Sequence, residues 1–516
     1  MAHISNLGLK FREVIGLHGG RPALRETGGE ITTYAQLDQL SNWAARLLLE
    51  RGLRRGDVVG IFHDKSPAAF ATMLACLKTG LIYTNLDPDS PWERIRKIIQ
   101  TIEPKAIVNA FLEPPHTAEL RGLEAAVLHL RQPATAAELL RRDDAEVPSF
   151  GGVTGSDPAY IMFTSGSTGM PKGAVISHAN VLNFIAWAQD RFQLTPDDIL
   201  SNVNPMYFDN SVFDFYGALF SGASMAPILS EQFREPRELV GMINKMRCTV
   251  WFSVPSLLIY LLTTRAVSAS DFSGVRKIIF GGEGFPKPKL KQLYDLFGGR
   301  AELENVYGPT ECTCICSAHT IGLSDFADMK GLATLGFLAP NFDYEILAQA
   351  PGEDTGELFL RGPGVGLGYF NDPARTAQAF EQNPIHDRFA DIGYHTGDLV
   401  RRDAAGRFYF VGRADFQIKH MGYRIELEEI EAALSVLAEV KECAVIYRKL
   451  DAGLGEIIAF VALATPRSSE ELIDGVAGIV PRYMVPRRVT VLEALPKNAN
   501  GKIDRVVLQT MASAAT

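Results

Sequence analysis

The most informative stretch of the sequence is Tyr160-Ile-Met-Phe-Thr-Ser-Gly-Ser-Thr-Gly-Met-Pro-Lys-Gly173, in which an apolar run leads into a loop rich in hydroxyl and glycine residues. Between Thr164 and Gly173 there are four hydroxyl side chains and three glycines. Glycines let the backbone turn tightly and present N–H groups to phosphate oxygens, and hydroxyls add further donors. The loop lacks the Gly-Lys-Ser/Thr triplet of a Walker A motif. The stretch therefore predicts a strand followed by a phosphate-binding loop, with an unliganded surface loop as the alternative.

Strand-like and helix-like runs alternate on both sides of this loop, as far as about residue 410. Amphipathic helices are predicted over 37–51 and 68–79. Short runs rich in β-forming residues predict strands over 58–63, 106–110, 159–164, 249–253 and 277–280. Alternation of this kind is typical of an α/β fold with mostly parallel, buried sheets flanked by helices.

The pattern changes after Gly412. The segment 422–437 predicts a charged amphipathic helix, the segments 442–447 and 457–463 predict strands, and 468–480 predicts a second helix. This order indicates a small α+β unit. We therefore predict two domains: a large N-terminal α/β core over 1–412 and a small C-terminal domain over 413–516.

Composition and charge narrow the class of protein. The formal net charge is -9, and hydrophobic and charged residues make up 47% and 22% of the chain, as in an ordinary globular protein. No broad basic field is present to attract nucleic acid or anionic lipid. The sequence also lacks the features of a secretory signal or a membrane-spanning run. We therefore expect a cytoplasmic enzyme with neither a nucleic-acid nor a membrane partner.

The cysteines predict neither a disulfide scaffold nor a metal centre. Six cysteines are too few to staple a chain of 516 residues. Cys312, Cys314 and Cys316 alternate, but a metal cluster needs a fourth ligand and normally wider spacing. We therefore favour three small residues beside a nucleotide loop over a metal site.

The segment 164–172 resembles the signature loop of the adenylate-forming superfamily, which includes acyl-CoA synthetases, luciferases and the adenylation domains of nonribosomal peptide synthetases. Other segments resemble further motifs of that family in the same order, namely Leu77-Lys-Thr-Gly80 with Asp87-Pro88 and Glu93-Arg94, Asn305-Val-Tyr-Gly-Pro-Thr-Glu311, 356–369, Tyr394-His-Thr-Gly-Asp398, 412–426 and Pro496-Lys-Asn-Ala-Asn-Gly-Lys502. The similarity extends from residue 33 to residue 505. It implies an enzyme that joins a carboxylate to the α-phosphate of ATP and releases pyrophosphate.

The resemblance implies a role for each residue that matches a motif. Thr310 is expected to donate to the α-phosphate, Glu311 to hold Mg²⁺, and Lys502 to be the catalytic lysine that bridges the substrate carboxylate and the phosphate. Tyr307 is expected to stack on adenine and Asp398 to accept both ribose hydroxyls. The whole nucleotide site is expected at Thr164, Ser165, Gly166, Ser167, Thr168, Lys172, Gly282, Glu283, Asn305, Tyr307, Asp398 and Arg413.

The C-terminal domain is expected to move during the reaction. Asp415 matches the family's hinge, so this domain, which carries Lys502, is expected to seal the site for adenylation and then swing away so that a pantetheine thiol can enter. His178 and His420 are two further candidates for acid–base chemistry. We expect both to shape loops and assign neither a catalytic role.

The acid pocket is indicated by Tyr207-Phe-Asp-Asn-Ser-Val-Phe-Asp-Phe215, which resembles the amino-acid-activating branch of the family. In that branch the first aspartate, Asp209 here, binds the substrate's ammonium group. A carboxylate beside an apolar pocket is costly unless a cation pairs with it, and the substrate would supply that cation. Asp214 is the competing candidate. Continuing the resemblance, the side-chain pocket is expected to be lined by Asn210, Phe213, Phe252, Ile279, Gly281, Val306, Cys314 and Ile315.

The lining is mostly aliphatic and aromatic, and it resembles pockets for valine, isoleucine and other medium aliphatic amino acids. Asn210 departs from the small residue usual at its position and is expected either to bind a polar substrate group or to prop the loop. The chain also resembles D-alanine–carrier protein ligase, in which the position of Gly281 is a cysteine that shrinks the pocket. Glycine here implies a larger substrate.

The sequence therefore predicts a free-standing enzyme that uses ATP and Mg²⁺ to form an aminoacyl-AMP and passes the amino acid to the phosphopantetheine thiol of a separate carrier protein. Three alternatives stay open. They are a D-alanine–carrier protein ligase, an acyl-CoA synthetase that uses CoA as the acceptor, and a non-catalytic nucleotide-binding protein. The last is disfavoured by the presence of Lys502, Glu311 and Asp398 together.

Overall fold

The structure, a computed structural model, describes residues 4–111, 113, 115–123, 125–130, 152–166, 169–229, 235–348, 354–450, 455–498 and 503–514. The chain divides into two units. Unit one consists of Met1–Pro88, Ile102–Met162 and Gly173–Gly412, and unit two of Asp89–Thr101, Phe163–Lys172 and Arg413–Thr516. Unit two thus includes most of the phosphate loop as well as the C-terminal segment. The division into two continuous domains at 412/413 stays a prediction.

The first large sheet belongs to unit one and has nine strands among the described residues. Its six central strands are parallel, whereas the strands at its two edges are antiparallel. In pairing order, the strands are Phe337–Leu338, Ser317–Thr320, Glu302–Tyr307, Lys277–Gly281, Val250–Ser253, Ile199–Asn202, Ser224–Pro227, Pro22–Arg25 and Ile31–Thr33. Two of the central strands, Val250–Ser253 and Lys277–Gly281, are buried along their whole length, and their sequences are mostly apolar because both faces are covered.

The second large sheet has seven strands within the same described ranges. A run of five of these strands is parallel, from Pro158–Thr164 at one end to Ala126–His129 at the other. In pairing order, the strands are Gly368–Tyr369, Lys172–Ser177, Pro158–Thr164, Ile82–Leu86, Val58–Phe62, Ala106–Asn109 and Ala126–His129. The predicted α/β class with mostly parallel sheets is therefore confirmed.

The helices of unit one flank these sheets. The predicted helices over 37–51 and 68–79 are confirmed as Tyr34–Glu50 and Pro67–Thr79. Across the described part of the chain, no helix is both long enough and apolar enough to cross a membrane. The remaining described helices of unit one are Leu7–His18, Thr117–Leu120, His178–Phe192, Asn210–Val212, Pro236–Met246, Pro255–Thr263, Lys287–Phe297 and Pro373–Ala379, with single turns at Phe213–Gly217, Thr310–Cys312 and Leu323–Phe326.

The helix Pro67–Thr79 shows how local sequence sets these elements. Ser66 caps its first turn by accepting a hydrogen bond from the Ala69 amide, and Pro67 supplies a backbone angle suited to the first helical position. Gly80 ends the helix in the left-handed region with φ 73°, which glycine adopts without strain. Ten of its thirteen residues are buried, because the helix packs into the main apolar core of unit one.

A third sheet of unit one is mainly antiparallel and was not predicted. In pairing order, it contains Asp343–Ala348, Thr355–Arg361, Ile392–Arg402 and Phe380–Gln382, and Phe408–Arg413 also pairs with Ile392–Arg402. It carries the predicted ribose ligand Asp398. Its strands are only partly buried, so the apolar runs that mark the central strands of the other two sheets are interrupted here.

Unit two has its own apolar core around a sheet of Val440–Lys449, Gly455–Leu463 and Arg488–Leu492. Its described helices are Trp92–Ile102, Leu427–Ser435, Ser469–Ala477 and Arg505–Ala514, with a single turn at Arg482–Met484. The predicted strands over 442–447 and 457–463 are confirmed, and the helix predicted over 468–480 ends three residues earlier, at Ala477.

The helix predicted over 422–437 is wrong in its first turn. Tyr423–Glu426 is a strand that pairs with Gln417–His420, and the helix covers only Leu427–Ser435. Met421 and Gly422 both have left-handed backbone angles, with φ 52° and 84°, so the chain reverses there and forms a hairpin. The charged helical pattern of the sequence does not reveal this reversal.

Candidate active site

Several residues predicted to line the acid pocket lie near the edge of the nine-stranded sheet that is formed by the carboxyl ends of its central parallel strands. The strands Val250–Ser253, Lys277–Gly281 and Glu302–Tyr307 run parallel, with Phe252 opposite Ile279 and Gly281 opposite Val306. Because parallel strands end on the same side, their last side chains and the loops that follow come together there. This is where ligands bind in open α/β sheets.

Six of the eight predicted pocket residues belong to one cluster of buried apolar side chains. Phe213 and Phe252 meet edge to face, with ring centroids 5.2 Å apart and an interplanar angle of 78°. Such contacts fix both rings because they exclude other rotamers. The six residues are Phe213, Phe252, Ile279, Val306, Cys314 and Ile315.

Asp209 and Thr310 meet at this edge although they are 101 residues apart in the chain. The Thr310 hydroxyl donates to Oδ2 of Asp209 over 2.6 Å. Asp209 directly precedes the short helix Asn210–Val212, and Thr310 begins the turn Thr310–Cys312 after the strand Glu302–Tyr307. The residue predicted to hold the ammonium group is therefore bonded to the residue predicted to donate to the α-phosphate.

Asp214, the competing aspartate, is occupied inside the fold. Its side chain is fully buried, and its Oδ2 accepts hydrogen bonds from Nδ2 of Asn202 and of Asn204, over 2.9 and 3.0 Å. Burial raises the pKa of Asp214 and lowers that of Lys65, whose ammonium group donates to two backbone carbonyls nearby. Because Asp214 has a structural set of partners, Asp209 is the better candidate for a substrate group.

Gly281 is constrained by the neighbouring strand. A Cβ atom added at this position would lie 2.5 Å from the carbonyl oxygen of Val306 and 2.6 Å from its Cγ2. The close approach of the two paired strands therefore favours glycine here, in addition to any effect of glycine on pocket size. At the next residue, a Cβ added to Gly282 would lie 3.8 Å from the amide group of Asn210. Asn210 is thus beside the glycine turn, as the predicted lining requires.

The segment that carries Cys314 has an unusual backbone. Thr313 and Cys314 both have positive φ, 62° and 73°, which is costly for residues other than glycine. None of the six cysteines, all within the described ranges, forms a disulfide, and no group of three potential metal ligands occurs among the described residues. Burial, with added repulsion from Asp209, raises the pKa of the Cys314 thiol well above its usual value. Cys314 therefore stays a neutral thiol within the apolar cluster.

The predicted nucleotide residues of unit one come together beside the acid pocket. Tyr307 donates its hydroxyl to Oδ2 of Asp398 over 2.7 Å. Nδ2 of Asn305 donates to the Thr334 carbonyl over 2.6 Å, whereas no donor from the described part of the chain reaches its buried Oδ1. A buried acceptor without a donor is costly, and an amino group of a ligand would satisfy it. Glu283 accepts from the Ser256 amide over 3.1 Å and so braces the glycine turn.

Glu311 has a partner that sequence reasoning missed. Its side chain is fully buried, and its Oε1 accepts a hydrogen bond from the Tyr369 hydroxyl over 2.8 Å. Its backbone carbonyl also accepts from the Gly366 amide over 2.8 Å. Tyr369 is the last residue of the predicted motif over 356–369. Its position in that motif was the one sign in the sequence that it belongs to the site.

In unit two the predicted phosphate loop is held by the segment that follows the predicted hinge residue. The Ser165 hydroxyl donates to the Arg424 carbonyl over 2.7 Å and accepts from the Glu426 amide over 3.0 Å. The Gly166 amide donates to Oε2 of Glu429 over 3.1 Å, and Lys172 pairs with Glu426 over 2.9 Å. The amide and ammonium groups that were predicted to hold phosphate are therefore bonded to carboxylates of the chain itself.

Two further residues of unit two, Arg94 and Lys97, support this arrangement. Arg94 forms a buried ion pair with Oε1 of Glu429, and Oε2 accepts from the Gly166 amide. Both oxygens of this carboxylate are therefore bonded. Lys97 donates to the Gly169 carbonyl over 2.8 Å. The buried Thr164 hydroxyl has no hydrogen-bond partner among the described residues. Arg94 and Glu426 lie within segments that resemble family motifs and Glu429 lies outside them, but nothing in the spacing of the three connected them to the loop.

The remaining predicted residues divide into three groups. Arg413 makes a two-pronged ion pair with Asp415, over 2.8 and 2.6 Å, so a predicted nucleotide contact and the predicted hinge residue bind each other. His178 accepts from the Leu7 amide and His420 contacts the Tyr447 hydroxyl, which are structural contacts. Burial lowers the pKa of His178 to about 4. Ser167, Thr168 and Lys502 lie outside the described residues.

Comparison with known proteins identifies the relatives of this chain. The family model for the AMP-binding enzyme matches residues 11–370, and the model for the AMP-binding enzyme C-terminal domain matches residues 429–502. An L-proline--[L-prolyl-carrier protein] ligase of Pseudomonas fluorescens is 34% identical over 478 residues, which is 90% of each chain. A dimodular nonribosomal peptide synthase of Bacillus subtilis is 33% identical over 479 residues, but the match covers 92% of this chain and only 20% of that protein.

Solved structures agree with this relationship. The structure of PA1221, a nonribosomal peptide synthetase protein containing adenylation and PCP domains, has a TM-score of 0.83 and 25% identity, over 98% of this chain and 84% of that one. The fold and its strand-edge site define an adenylation enzyme. The chain belongs to the AMP-binding enzyme family and is an AMP-forming ligase.

Proposed function

We propose that this chain activates an amino acid as its aminoacyl-AMP and transfers it to the phosphopantetheine thiol of a carrier protein. The observation that carries this proposal is Asp209, a carboxylate at the edge of an apolar pocket. An ionised carboxylate is costly in such surroundings, and the ammonium group of an amino acid would stabilise it. A fatty or aryl acid has no group that would pair with Asp209. The L-proline--[L-prolyl-carrier protein] ligases, similar over nearly their whole length, support the carrier-protein acceptor.

The nucleotide half of the site suits ATP. Asn305 offers a buried acceptor to an amino group such as that of adenine, and Asp398 offers a carboxylate to the ribose hydroxyls. The Tyr307 hydroxyl already bonds to Asp398, so the ring and the carboxylate are held as a pair. Tyr307 and Asp398 would thus fix the adenosine, and the Thr310 hydroxyl would stabilise charge on the α-phosphate.

The proposed Mg²⁺ site is Glu311. Its carboxylate is a hard oxygen ligand, and Mg²⁺ commonly binds one or two protein carboxylates, with water and substrate phosphates completing its shell. Tyr369 holds the Glu311 side chain in a fixed position, so the ligand is preorganised. When bound, the ion would neutralise charge on the phosphates. Lys502 is proposed to bridge the substrate carboxylate and the α-phosphate.

The substrate is proposed to be a medium aliphatic amino acid similar to valine or isoleucine. The walls Phe213, Phe252, Ile279 and Val306 are apolar and buried, and an unpaired charge there would be costly. Asn210 is the polar exception, and an amide beside the Gly282 turn suits a substrate with one hydrogen-bonding group. Because two relatives are L-proline ligases, proline is a necessary comparison.

The test is amino-acid-dependent exchange of labelled pyrophosphate into ATP, screened over the common and nonproteinogenic amino acids, with D-alanine, proline, valine and isoleucine included. We expect a medium aliphatic amino acid to give the highest rate. The proposal would be overturned if carboxylic acids that lack an amino group supported exchange and none of the amino acids did. Loading of a phosphopantetheinylated carrier protein, compared with release of a CoA thioester, then separates a carrier-protein ligase from an acyl-CoA synthetase.

A further inference from the structure

The Thr310 hydroxyl has one proton to donate. In the structure it donates to Oδ2 of Asp209 over 2.6 Å. An ionised carboxylate can only accept, so the proton of this bond belongs to Thr310. A phosphate oxygen is also an acceptor without a proton. The hydroxyl therefore cannot donate to Asp209 and to the α-phosphate at the same time.

The bond also connects the two halves of the site. Asp209 follows the strand Ile199–Asn202 and is the predicted ligand of the ammonium group, whereas Thr310 follows the strand Glu302–Tyr307 and adjoins Glu311. Thr310 is 6% exposed and its turn is closed by a backbone hydrogen bond from Cys312 to Pro309, over 2.9 Å. A change of acceptor by this hydroxyl would therefore be a rotation of the Thr310 side chain.

We propose that Thr310 is a positioning residue that couples binding of the amino acid to binding of ATP. Its hydroxyl satisfies Asp209 while the pocket is empty, and it turns to the α-phosphate once an ammonium group has taken its place on Asp209. This inference rests on the proposed function, because it takes an ammonium group as the ligand of Asp209 and a nucleotide phosphate as the ligand of Thr310.

Two consequences follow for binding. ATP alone competes with Asp209 for the proton and binds below its full strength. An amino acid removes that competition, so each substrate strengthens the binding of the other by the same factor, as linkage requires. Hydrogen bonds to charged groups are among the stronger ones, and we expect a factor of about 10.

The first experiment needs only the nucleotide. Binding of adenosine 5′-(α,β-methylene)triphosphate is measured by calorimetry for the parent chain, Asp209→Ala, Thr310→Val and the double variant. Loss of Asp209 removes negative charge in both backgrounds, but it releases a hydroxyl proton only where Thr310 is present. We expect Asp209→Ala to tighten binding about 10-fold more in the Thr310 background than in the Thr310→Val background. Equal tightening in both backgrounds would overturn the proposal.

The second experiment adds the amino acid that gives the highest rate in the exchange screen. Saturating amino acid should tighten binding of the same analogue about 10-fold in the parent chain and in Thr310→Ser, which keeps the hydroxyl. In Thr310→Val the tightening should disappear. Coupling that persists in Thr310→Val, or that is lost in Thr310→Ser, would contradict the role of the hydroxyl.

Thermal unfolding of every variant shows whether it folds, and Thr310→Ala replaces Thr310→Val if the valine is not accommodated. The two proposals fail in different ways. If no amino acid supports exchange, the proposed function is wrong, whereas the first experiment can still be read because it contains no amino acid. If exchange occurs but Asp209→Ala changes binding of the nucleotide analogue equally with and without Thr310→Val, only the coupling is wrong.

Discussion

The acid pocket of unit one and the phosphate loop of unit two satisfy their polar groups in different ways. In the pocket, the Asp209 carboxylate meets a neutral hydroxyl, and the walls belong to a continuous apolar core. In the loop, the Gly166 amide and the Lys172 ammonium group meet the carboxylates of Glu429 and Glu426. The Asp209 carboxylate therefore meets a hydroxyl donor, whereas the amide and ammonium groups of the loop meet carboxylates of the chain itself.

The difference indicates how each region responds to its ligand. A pocket of close-packed side chains has one low-energy arrangement, so it selects substrates by shape and charge. Donors that are already bonded to carboxylates must exchange one anion for another before they can hold phosphate. We expect changes in unit two to affect the reaction with every amino acid, and changes in the pocket to affect which amino acid is used.

The largest effect is expected for Lys502→Ala. Removal of one preorganised cation from a developing charge typically lowers kcat by roughly 10²–10³-fold, so adenylation should nearly disappear for every amino acid. Thiolation from a supplied aminoacyl-AMP should be much less affected, because the lysine is predicted to have moved away by then. Single-turnover assays of the two half-reactions provide the measurement. Equal loss of both would contradict the two-state interpretation of the C-terminal domain.

Asp209→Ala tests the pocket side of the comparison. Loss of one partner of a buried charge pair costs roughly 2–4 kcal/mol. We expect kcat/KM for the amino acid to fall by the factor that corresponds to this free energy. Asp214→Asn is the matched comparison, because it changes an aspartate whose partners are structural; we expect it to lower the unfolding temperature more than the selectivity for an ammonium group. Pyrophosphate exchange with an amino acid and with its deaminated analogue separates the two. An unchanged preference for the amino acid in Asp209→Ala would refute the assignment.

Gly281→Cys and Gly281→Ala test whether strand spacing or pocket size governs this position. The new Cβ presses on Val306, which is both a paired strand residue and a pocket wall. Overpacking costs about 1–3 kcal/mol of stability, and discrimination per methylene in such pockets is roughly 10–200-fold. We expect valine- and isoleucine-sized substrates to be lost before alanine-sized ones.

The measurements for Gly281 are exchange rates over glycine, alanine, aminobutyrate, valine, isoleucine and phenylalanine, together with thermal unfolding. Gly241→Ala is the control, because a Cβ there meets no atom within 4 Å. A lower unfolding temperature with an unchanged order of substrates would mean that Gly281 matters for the sheet alone.

The smallest effect is expected for Glu429→Gln. A neutral amide binds the Gly166 N–H less strongly than a carboxylate, so a phosphate ligand should displace it more easily. We expect inhibition by pyrophosphate to strengthen by about 3–10-fold with little change in substrate preference. Glu439→Gln serves as the control, because Glu439 pairs with Arg467 and makes no contact with the loop in the described structure. Equal inhibition in both variants would show that the Glu429 contact does not compete with phosphate.

Much of the fold follows from local sequence. The helix Pro67–Thr79 begins at a serine and a proline and ends at a glycine, and strands such as Val250–Ser253 are short apolar runs. These signals act over a few residues, through capping and side-chain periodicity, so they can be read without knowing the fold. The hairpin before Leu427–Ser435 escaped detection because its reversal at Met421 and Gly422 lies inside a charged pattern typical of a helix.

The sequence by itself determined the chemistry available to this protein: a hydroxyl- and glycine-rich loop, an aspartate beside aromatic residues, and the motif residues Thr310, Glu311 and Asp398. Only the tertiary structure decided which of these groups bond to each other. Thr310 meets Asp209 across 101 residues, Gly166 meets Glu429 across 263, and Gly281 meets the Val306 carbonyl of a paired strand. Such contacts depend on how distant segments pack and on strand register, and no local periodicity encodes either.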